Sequence, residues 1–402
     1  MTAFEIKSRF QQPGVLSDSD FRQKITEWVL EMQMGPCQFK MSAGSDATIF
    51  TTCFALFILD LFGQTGRFTQ SQKAEWVDFI NGFQNKESGY FEPAVHYRDP
   101  EWDNYQLTCF CLSALGILGG SPAVPLSFLE QWPGPEDVRK YLHERGCHVG
   151  KPGSGNSAMF LAIFLTYEYE RTHQSHFLEK MDAWFDFHDT HQNRSGFWGR
   201  GRACHSLPAL QNALHQFVIY FYWQRKVGQL NRIIDVSLVC QDRDGFFAPN
   251  PGGEPCYDYD AIHVLAVAHR LTDYRKNDIE ACLNKAQCGI LRSFNDDGGF
   301  CHSTHKWTSC CDFMSHIPVF FSGKSPYLWY YRIRRSLADL IKRRHNIYEG
   351  WTQESRTHGE SNLWGTWFRC LALAEIERTL TPDFSEEMIP WRFHKTIGLG
   401  YF

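Results

Sequence analysis

Long apolar runs and an export signal are both missing from this sequence of 402 residues. No window reaches the roughly 18 apolar residues that a membrane-spanning helix needs, and residues Met1–Lys7 lack the basic start and apolar stretch of a signal peptide. The net charge of −5 gives no sign of the basic surface that nucleic-acid binding requires. We therefore expect a cytoplasmic protein that binds no nucleic acid.

Several familiar catalytic motifs are absent as well. The sequence has no phosphate-binding P-loop, no dinucleotide-binding glycine motif and no nucleophile elbow. The stretch from His143 to His148 is one residue too long for an HExxH zinc helix and contains a glycine. Asp296-Asp297-Gly298-Gly299 lacks the third carboxylate of a DDxxD metal box. None of these common signatures identifies the chemistry of the chain.

Paired cysteine motifs are also missing, although the chain has 14 cysteines. No two of them have CxxC spacing, and Cys53, Cys109, Cys111 and Cys370 lie inside apolar stretches with helical spacing. Without an export signal, such cysteines are typical of reduced core residues and not of disulfides.

What the sequence has in abundance is aromatic residues around a repeated turn. Aromatics make up 15% of the chain, with 33 Phe, 16 Tyr and 13 Trp. A Gln or Asn is followed four or five residues later by Gly and an aromatic, in copies that start at Gln84, Gln192, Gln241, Asn295 and Asn346. With one degenerate copy the glycines stand at positions 89, 146, 196, 245, 299 and 350, a period of about 50 residues.

Each turn separates two kinds of predicted helix. The stretches before the turns are apolar on one side only, whereas those after the turns are apolar nearly all round, over residues 48–62, 107–118, 158–167, 207–223, 261–268 and 363–374. A helix that is apolar on every side must be buried, which predicts an inner layer of helices inside an outer layer. We therefore predict an all-α fold, one α/α toroid domain over residues 1–402 with about six helical hairpins.

In such a ring, each turn brings the start of an inner helix to one rim, where side chains converge on the central cavity. The richest rim segment runs from Gly252 to His263 and contains two closely spaced aspartates beside a cysteine. A second polar segment, His358 to Asn362, precedes the last inner helix.

The repeated turns resemble the QW repeats of the terpenoid cyclase and protein prenyltransferase superfamily. In that superfamily a Gln and a stacked aromatic staple successive helix pairs, and the resemblance covers most of this chain. It implies the toroidal architecture more strongly than any reaction, because one fold carries many functions.

Within that superfamily, the rim segment resembles the DxDD box of class II terpene cyclases. Asp258-Tyr259-Asp260 matches its first three positions, so Asp260 falls on the protonating aspartate and Asp258 on its supporting partner. The resemblance implies an enzyme that cyclises a hydrophobic isoprenoid by protonation, with an acid kept neutral by burial. The fourth aspartate of the box is Ala261 here. His263 follows Asp260 by three residues and is predicted to share a helix face and a hydrogen bond with it.

Aromatic side chains would line such a cavity and stabilise the migrating carbocation. The candidates for substrate contact are Trp102, Tyr257, Trp307, Trp364 and Trp367. Glu360 and Asn362 are either further substrate contacts or plain helix caps. This chemistry needs no metal or redox cofactor, although a diphosphate-bearing substrate would bring Mg²⁺.

The same segment also resembles the zinc site of protein prenyltransferase β subunits, which place Asp-x-Cys at the head of one inner helix and a His one helix later. Glu254 and Cys256 fit the first part and His316 the second. This resemblance implies a zinc-dependent transferase or hydrolase, in which zinc activates a bound thiol or water. It ranks second, because Pro255 constrains the ligand loop and those enzymes need a partner subunit.

Two simpler interpretations stay open. Asp258 is well placed as a helix N-cap, and Asp260 in the first helical turn would favour the helix dipole without any chemistry. Alternatively, toroids of this kind include glycan hydrolases and lyases with paired carboxylates and Trp platforms, and a cavity filled by side chains would indicate a non-catalytic binding protein.

From Trp329 to His345 the sequence predicts a helix rich in arginine and aromatic residues. Its basic residues indicate a solvated outer face or, alternatively, a patch that contacts a membrane surface. We expect a small lipophilic substrate as the partner and, under the second interpretation, peripheral membrane contact.

Overall fold

The computed structural model describes residues 19–200, 207–304, 310–323, 325–341, 346–347, 350–354, 356–381, 391–393 and 397. The α-helices in these residues are α1 Ser19–Glu31, α2 Ile49–Leu61, α3 Gln70–Asn81, α4 Pro100–Leu118, α5 Pro135–Glu144, α6 Ser154–Thr172, α7 Ser175–His191, α8 Leu207–Tyr222, α9 Leu230–Cys240, α10 Pro255–Leu271, α11 Lys276–Leu291, α12 Cys310–Ser315, α13 Ile317–Phe320, α14 Pro326–Ile341 and α15 Leu363–Leu380. Short 3₁₀ helices span Gln64–Arg67, Ser127–Gln131 and Cys147–Val149.

The β structure in the described residues consists of two small hairpins and a few isolated bridges. Strand β1 (Gln33–Gly35) pairs antiparallel with β2 (Gln38–Phe39), and β3 (Asn346–Ile347) pairs antiparallel with β4 (Arg356–Thr357). The predicted all-α class is confirmed. No helix within the described ranges is both long enough and apolar enough to cross a membrane.

Glutamine side chains hold the repeated turns. The Gln84 amide donates one hydrogen bond to the carbonyl of Gly89 in its own turn, at 3.0 Å, and another to the carbonyl of Val124, at 2.9 Å. Gln192 and Gln241 make the same two kinds of bond, one inside the turn and one to a carbonyl 36 or 41 residues further along. Each such turn is therefore tied to the next repeat, which explains the recurrence of glutamine.

The chain forms two compact units, Met1–Arg67 with Ile234–Arg392, and Phe68–Ile233 with Phe393–Phe402. In the first unit, every residue of α2 is buried, and α10 and α15 are buried along most of their length. Helix α15 packs against both α2 and α10. Helices α1 and α11 bury only one face.

The second unit repeats this pattern. Helices α4 and α6 are buried on nearly all sides, and α6 packs against α4, α7 and α8. Outside them, α3 buries only Trp76 and Ile80 of its twelve residues, and α5 buries one face as well. Together, the two units contain all six stretches that the sequence predicts as buried inner helices, namely α2, α4, α6, α8, α10 and α15.

One predicted repeat turn, Asn346 to Gly350-Trp351, is wrong. The turn that is bonded to α15 is the copy that starts at Asn295. The amide of Phe300, in that turn, donates a hydrogen bond to Thr366 Oγ1 of α15 at 3.0 Å. Phe91 and Thr108 make the equivalent bond, also at 3.0 Å, between a turn and its inner helix. Residues 301–361 are therefore an insertion between outer helix α11 and inner helix α15, and this insertion carries α12, α13 and α14.

Candidate functional site

The candidate site lies at the head of α10, where two glycines lead into the helix. Gly252 and Gly253 have φ angles of 87° and 81°, which side chains rarely adopt. A Cβ atom on Gly253 would stand 2.7 Å from Asp258 Oδ2, so only glycine allows that carboxylate to approach the backbone. Glu254 is the N-cap and Pro255 the first helical residue, a favoured place for proline. The alternative in which Asp258 is the N-cap is therefore wrong.

Asp258 is an anchor between the repeat turn and the inner helix. Its Oδ1 accepts hydrogen bonds from the amides of Phe247 and Ala248, at 2.6 and 3.1 Å. Its Oδ2 accepts from the amide of Glu254 at 2.9 Å and from Arg369 Nη1 at 2.6 Å. In two other repeats a threonine of the inner helix accepts the equivalent bond, Thr108 from the amide of Phe91 and Thr366 from the amide of Phe300. The buried Asp258 carboxylate thus accepts four hydrogen bonds, one of them from a cationic donor.

Arg369 was not identified from the sequence. It is fully buried in α15, where it pairs with Asp258, donates to the carbonyl of His302 at 3.3 Å and lies over the ring of Phe246. The available signal was a single arginine within an otherwise apolar inner-helix stretch, since a buried charge needs a partner.

Asp260 has the opposite environment. Its side chain is 4% exposed, and no hydrogen bond to its carboxyl group comes from any residue that the structure describes. Burial raises the pKa of Asp260 well above its usual value, and the carboxylates of Asp258 and Glu254 raise it further. The Asp260 carboxyl therefore holds its proton more strongly than an ordinary aspartate does, two residues from a carboxylate that is paired with Arg369.

His263 pairs with Glu375 of α15 and not with Asp260. Its Nδ1 lies 3.2 Å from Glu375 Oε1, and Arg270 donates to the other oxygen of Glu375 at 3.2 Å. Although burial opposes ionisation, these two neighbours lower the pKa of Glu375 to about 2. The predicted hydrogen bond between Asp260 and His263 is not found among the described contacts. This network is a second contact between α10 and α15. It lies five residues beyond Asp258 on α10 and six residues beyond Arg369 on α15.

Aromatic residues of α15 pack together near Tyr259 of α10. Trp364 and Trp367, both predicted as substrate contacts, pack around Phe368 with ring centroids 4.5 and 4.4 Å away. Phe368 in turn contacts Tyr259 of α10 at 5.5 Å. Trp367 is completely buried, whereas Trp364 and Phe368 keep 8% and 9% of their surface exposed. The structure thus brings two of the five predicted aromatics together beside α10.

Asn362 and Glu360 precede α15. Asn362 is the N-cap, and its side chain accepts from the amide of Gly365 at 2.7 Å and donates to the carbonyl of Glu360 at 3.0 Å. Because Asn362 is fully buried and both of its polar groups bind backbone, its geometry is that of a cap. Glu360 is only partly buried, so its carboxylate reaches solvent at the head of α15.

Tyr257 and Glu254 lie beside helix α14 of the insertion. The pKa of Tyr257 is raised, chiefly by the Glu254 carboxylate and then by burial, while the nearby guanidinium of Arg335 lowers it. Tyr331 of α14 acts on the Tyr257 pKa as well. The insertion therefore places cationic and aromatic side chains next to the head of α10.

The predicted zinc ligands do not form a cluster. Cys256 is partly exposed in the first turn of α10, and His316 precedes α13. Within the part of the chain that the structure describes, no group of three or more His, Cys, Asp or Glu residues has the arrangement of a metal site. The described residues at this rim do not fit the zinc-dependent interpretation.

Of the remaining predicted substrate contacts, Trp307 falls outside the described residues. Trp102 is in the second unit, where it packs edge-on against Phe160 with ring centroids 5.4 Å apart. It lines a cavity of about 450 Å³ together with Tyr141, Lys151 and ten other residues.

In chemical terms, the head of α10 presents a buried carboxyl group with a raised pKa, a carboxylate bound by Arg369 and a nearby aromatic cluster. A carboxyl group with a raised pKa in an apolar environment is suited to proton transfer. Asp258 and Asp260 are two residues apart in α10, which separates them by about 200° around the helix.

Comparisons with known proteins agree with this fold. The model of the prenyltransferase alpha-alpha toroid domain matches residues 11–141 and 156–310. A type II terpene cyclase, MstE from Scytonema, solved as a variant with geranylgeranyl dihydroxybenzoate, is 11% identical with a TM-score of 0.51, covering 94% of this chain and 100% of that one. A glycosyl hydrolase family 88 protein from Bacteroides vulgatus is 11% identical with a TM-score of 0.46, covering 94% and 100%.

A search of curated proteins finds no match. The solved structures show a shared fold alone at this identity, whereas the family model covers most of the chain. The toroid predicted from the sequence is thereby confirmed, and the chain belongs to the prenyltransferase alpha-alpha toroid domain family.

Proposed function

We propose that this protein is an enzyme that cyclises a hydrophobic isoprenoid by protonation, with Asp260 as the acid. The observation that carries the proposal is the contrast between two carboxyl groups two residues apart. Asp258 is bound by Arg369 and three backbone amides, while Asp260 is buried and its pKa is raised. Pairs of titratable groups in contrasting environments are a recurrent source of acid catalysis.

The two aspartates have separate roles in this mechanism. Asp260 transfers its proton to a carbon–carbon double bond of the substrate, which forms a C–H bond and leaves a carbocation. Ring closure moves the positive charge along the chain, and loss of a proton from carbon then gives an isomer of the substrate. Asp258 positions the head of α10 and adds negative charge, which keeps Asp260 protonated until the substrate arrives. Because Ala261 replaces the fourth aspartate of the DxDD box, Asp258 and Glu254 supply that charge.

The aromatic cluster suits the intermediates of this reaction. A cation above an aromatic face gains about 0.5–2 kcal/mol, more when water is excluded. Trp364 and Phe368 are the most exposed members of the cluster, and Phe368 contacts Tyr259, which precedes Asp260 in α10. The similarity in fold to a cyclase solved with a geranylgeranyl-bearing substrate supports an isoprenoid as the substrate class.

The test is turnover of linear isoprenoids by the wild type and by Asp260→Asn. Farnesyl, geranylgeranyl and squalene-length substrates are incubated with the enzyme, and products of unchanged mass but altered retention are detected by gas chromatography and mass spectrometry. Loss of a general acid is expected to lower turnover by about 10²- to 10⁴-fold. Asp78→Asn, on an exposed face of α3, is the matched control. Full turnover by a folded Asp260→Asn protein would contradict the proposal.

One observation favours a second candidate, carbohydrate binding in the second unit. The cavity beside Trp102 is also lined by Tyr141 and Lys151. A pocket that combines aromatic side chains with a few polar groups is typical of small-molecule sites. Calorimetric titration with neutral and acidic oligosaccharides tests this, and Trp102→Ala is expected to abolish any binding that is found. An absence of heat with every sugar removes this candidate.

A further inference from the structure

Helix α14 of the insertion exposes four large apolar side chains, whereas the described outer helices α1 and α9 expose one each, Leu30 and Val239, and the others none. Tyr327, Tyr330, Leu337 and Ile341 are 44%, 59%, 38% and 78% exposed. Their spacing of three and four residues puts them, together with Arg334, on one stripe of the helix. Phe321 and Met314, just before α14, are 52% and 60% exposed.

These residues stand out against the rest of the surface. Of the thirteen exposed large hydrophobic side chains in the described residues, six lie between positions 314 and 341. Helices α3, α5, α7 and α11 carry none of them. A concentration of exposed apolar side chains in one segment indicates an interaction surface.

The opposite face of α14 is firmly anchored, so the exposed stripe is not the result of a loosely placed helix. Arg332 is 1% exposed and donates to the carbonyls of Ser322 and Cys240, at 2.8 and 2.7 Å. Asp339, about two helical turns further along, accepts from the side chain of Asn250 at 2.9 Å. The two charged residues of the inner face are thus used inside the protein, and the apolar stripe points away from it.

The charge of this segment identifies the partner. The chain has a net charge of −5, yet residues 324–345 contain six Lys or Arg residues besides the buried Arg332, and their single acidic residue, Asp339, is buried as well. Arg334 and Arg335 are exposed on α14 itself, and Lys342-Arg343-Arg344 follow it directly in sequence. A row of tyrosines and aliphatic residues flanked by cations matches the interface of an anionic bilayer, whose negative surface potential attracts nearby basic residues.

The size of the stripe argues against a second copy as the occupant. A helix of sixteen residues is about 24 Å long, and with a width of about 10 Å its outward face covers roughly 240 Å². A stable protein interface needs about 800 Å² from each partner. From these observations we propose that α14 docks this protein on anionic membrane surfaces, with Tyr330, Leu337 and Ile341 entering the interface.

This docking does not depend on cyclase chemistry, because it involves no residue assigned to catalysis. It does place the head of α10 near the bilayer, since Arg335 and Tyr331 of the same helix lie next to Tyr257. A lipophilic substrate would thus have a short path from the membrane to the rim.

The experiment is co-sedimentation of the full chain with vesicles of phosphatidylcholine alone or mixed with phosphatidylserine. We expect binding to the mixed vesicles, weak binding to the neutral ones, and release at high salt as charges are screened. Tyr330→Asp and Ile341→Asp are expected to weaken binding about tenfold, since each removes apolar contact and adds like charge. Met34→Asp, which changes a side chain that is 63% exposed outside this surface, is the matched control and should bind as the wild type does.

Each outcome decides the proposal. Absence of vesicle binding, equal binding to both vesicle types, or unchanged binding by the two variants overturns it. A dimer in light scattering that Tyr330→Asp dissociates, without vesicle binding, also overturns it and assigns the surface to a second copy. Circular dichroism of each variant establishes that the fold is retained, as expected for changes on an exposed face.

Discussion

The raised pKa of Asp260 has a consequence for stability that is independent of any substrate. In the folded protein the Asp260 carboxyl keeps its proton, whereas in the unfolded chain it releases it above a pH of about 4. The folded state therefore binds more protons, and its free energy of unfolding falls as pH rises from there through the raised pKa. The amide side chain of the Asp260→Asn variant has no such proton to release, so this part of the pH dependence disappears.

The size of the effect follows from a single proton. While the folded state holds the proton and the unfolded state does not, the free energy of unfolding falls by about 1.4 kcal/mol per pH unit. Between about pH 5 and pH 7 the wild type should therefore lose stability relative to the variant at up to this rate, as far as the raised pKa extends. Other groups, such as Glu375 with its lowered pKa, contribute equally to both proteins and cancel in the difference.

Urea unfolding followed by circular dichroism at several pH values measures this difference. Asp260→Asn is expected to be increasingly more stable than the wild type as pH rises, and Asp78→Asn, an exposed change, should follow the wild-type curve. A difference between Asp260→Asn and wild type that stays constant across the window refutes the reasoning. It would mean that Asp260 is ionised in the folded protein, and the acid proposed for catalysis would be lost with it.

Three further predictions concern the surroundings of the site. Arg369→Met should lower the free energy of unfolding by about 3–5 kcal/mol, because it leaves the buried Asp258 carboxylate without its cation, and a loss below about 1 kcal/mol in urea unfolding would contradict the ion pair. Gln84→Ala should lower the free energy of unfolding by about 1–3 kcal/mol, because it removes three hydrogen bonds that hold the turn and tie it to the next repeat. Gln241→Ala should lower it somewhat less, because Gln241 makes two such bonds. The reverse order of the two variants in thermal unfolding would contradict this role of the glutamines. Asn362→Ala should cost about 1 kcal/mol through loss of the cap and leave KM unchanged, whereas a raised KM without destabilisation would make Asn362 a substrate contact.

The architecture was largely predictable, because burial leaves a periodic record in a sequence. The six stretches that are apolar all round are the six inner helices, and the half-apolar stripe from Phe21 to Met32 covers helix α1. The prediction failed at Gly350-Trp351, where the local pattern imitates a repeat turn. The hydrogen bond between Phe300 and Thr366 shows which turn is attached to α15. These two residues are 66 positions apart, and a local sequence pattern cannot predict a contact over that separation.

The candidate site was predictable only in outline. The pattern of two aspartates before an apolar stretch identified the head of α10, and the DxDD resemblance singled out Asp260. It did not reveal that Asp258 binds Arg369 or that His263 binds Glu375, because both partners lie more than 100 residues away on α15. These two contacts decide which acid is free to act.

The sequence alone determined the inner and outer helices, the repeat and the position of the two acids, since hydrophobic periodicity and turn residues act over short distances along the chain. Only the tertiary structure decided that Asp258 is held in an ion pair and that the pKa of Asp260 is raised by burial. Protonation depends on burial and on neighbouring charges in space, and α10 and α15 become neighbours only when the chain folds. The same holds for α14, whose arginines look alike in sequence, although packing buries Arg332 and leaves Arg334 exposed beside an apolar stripe.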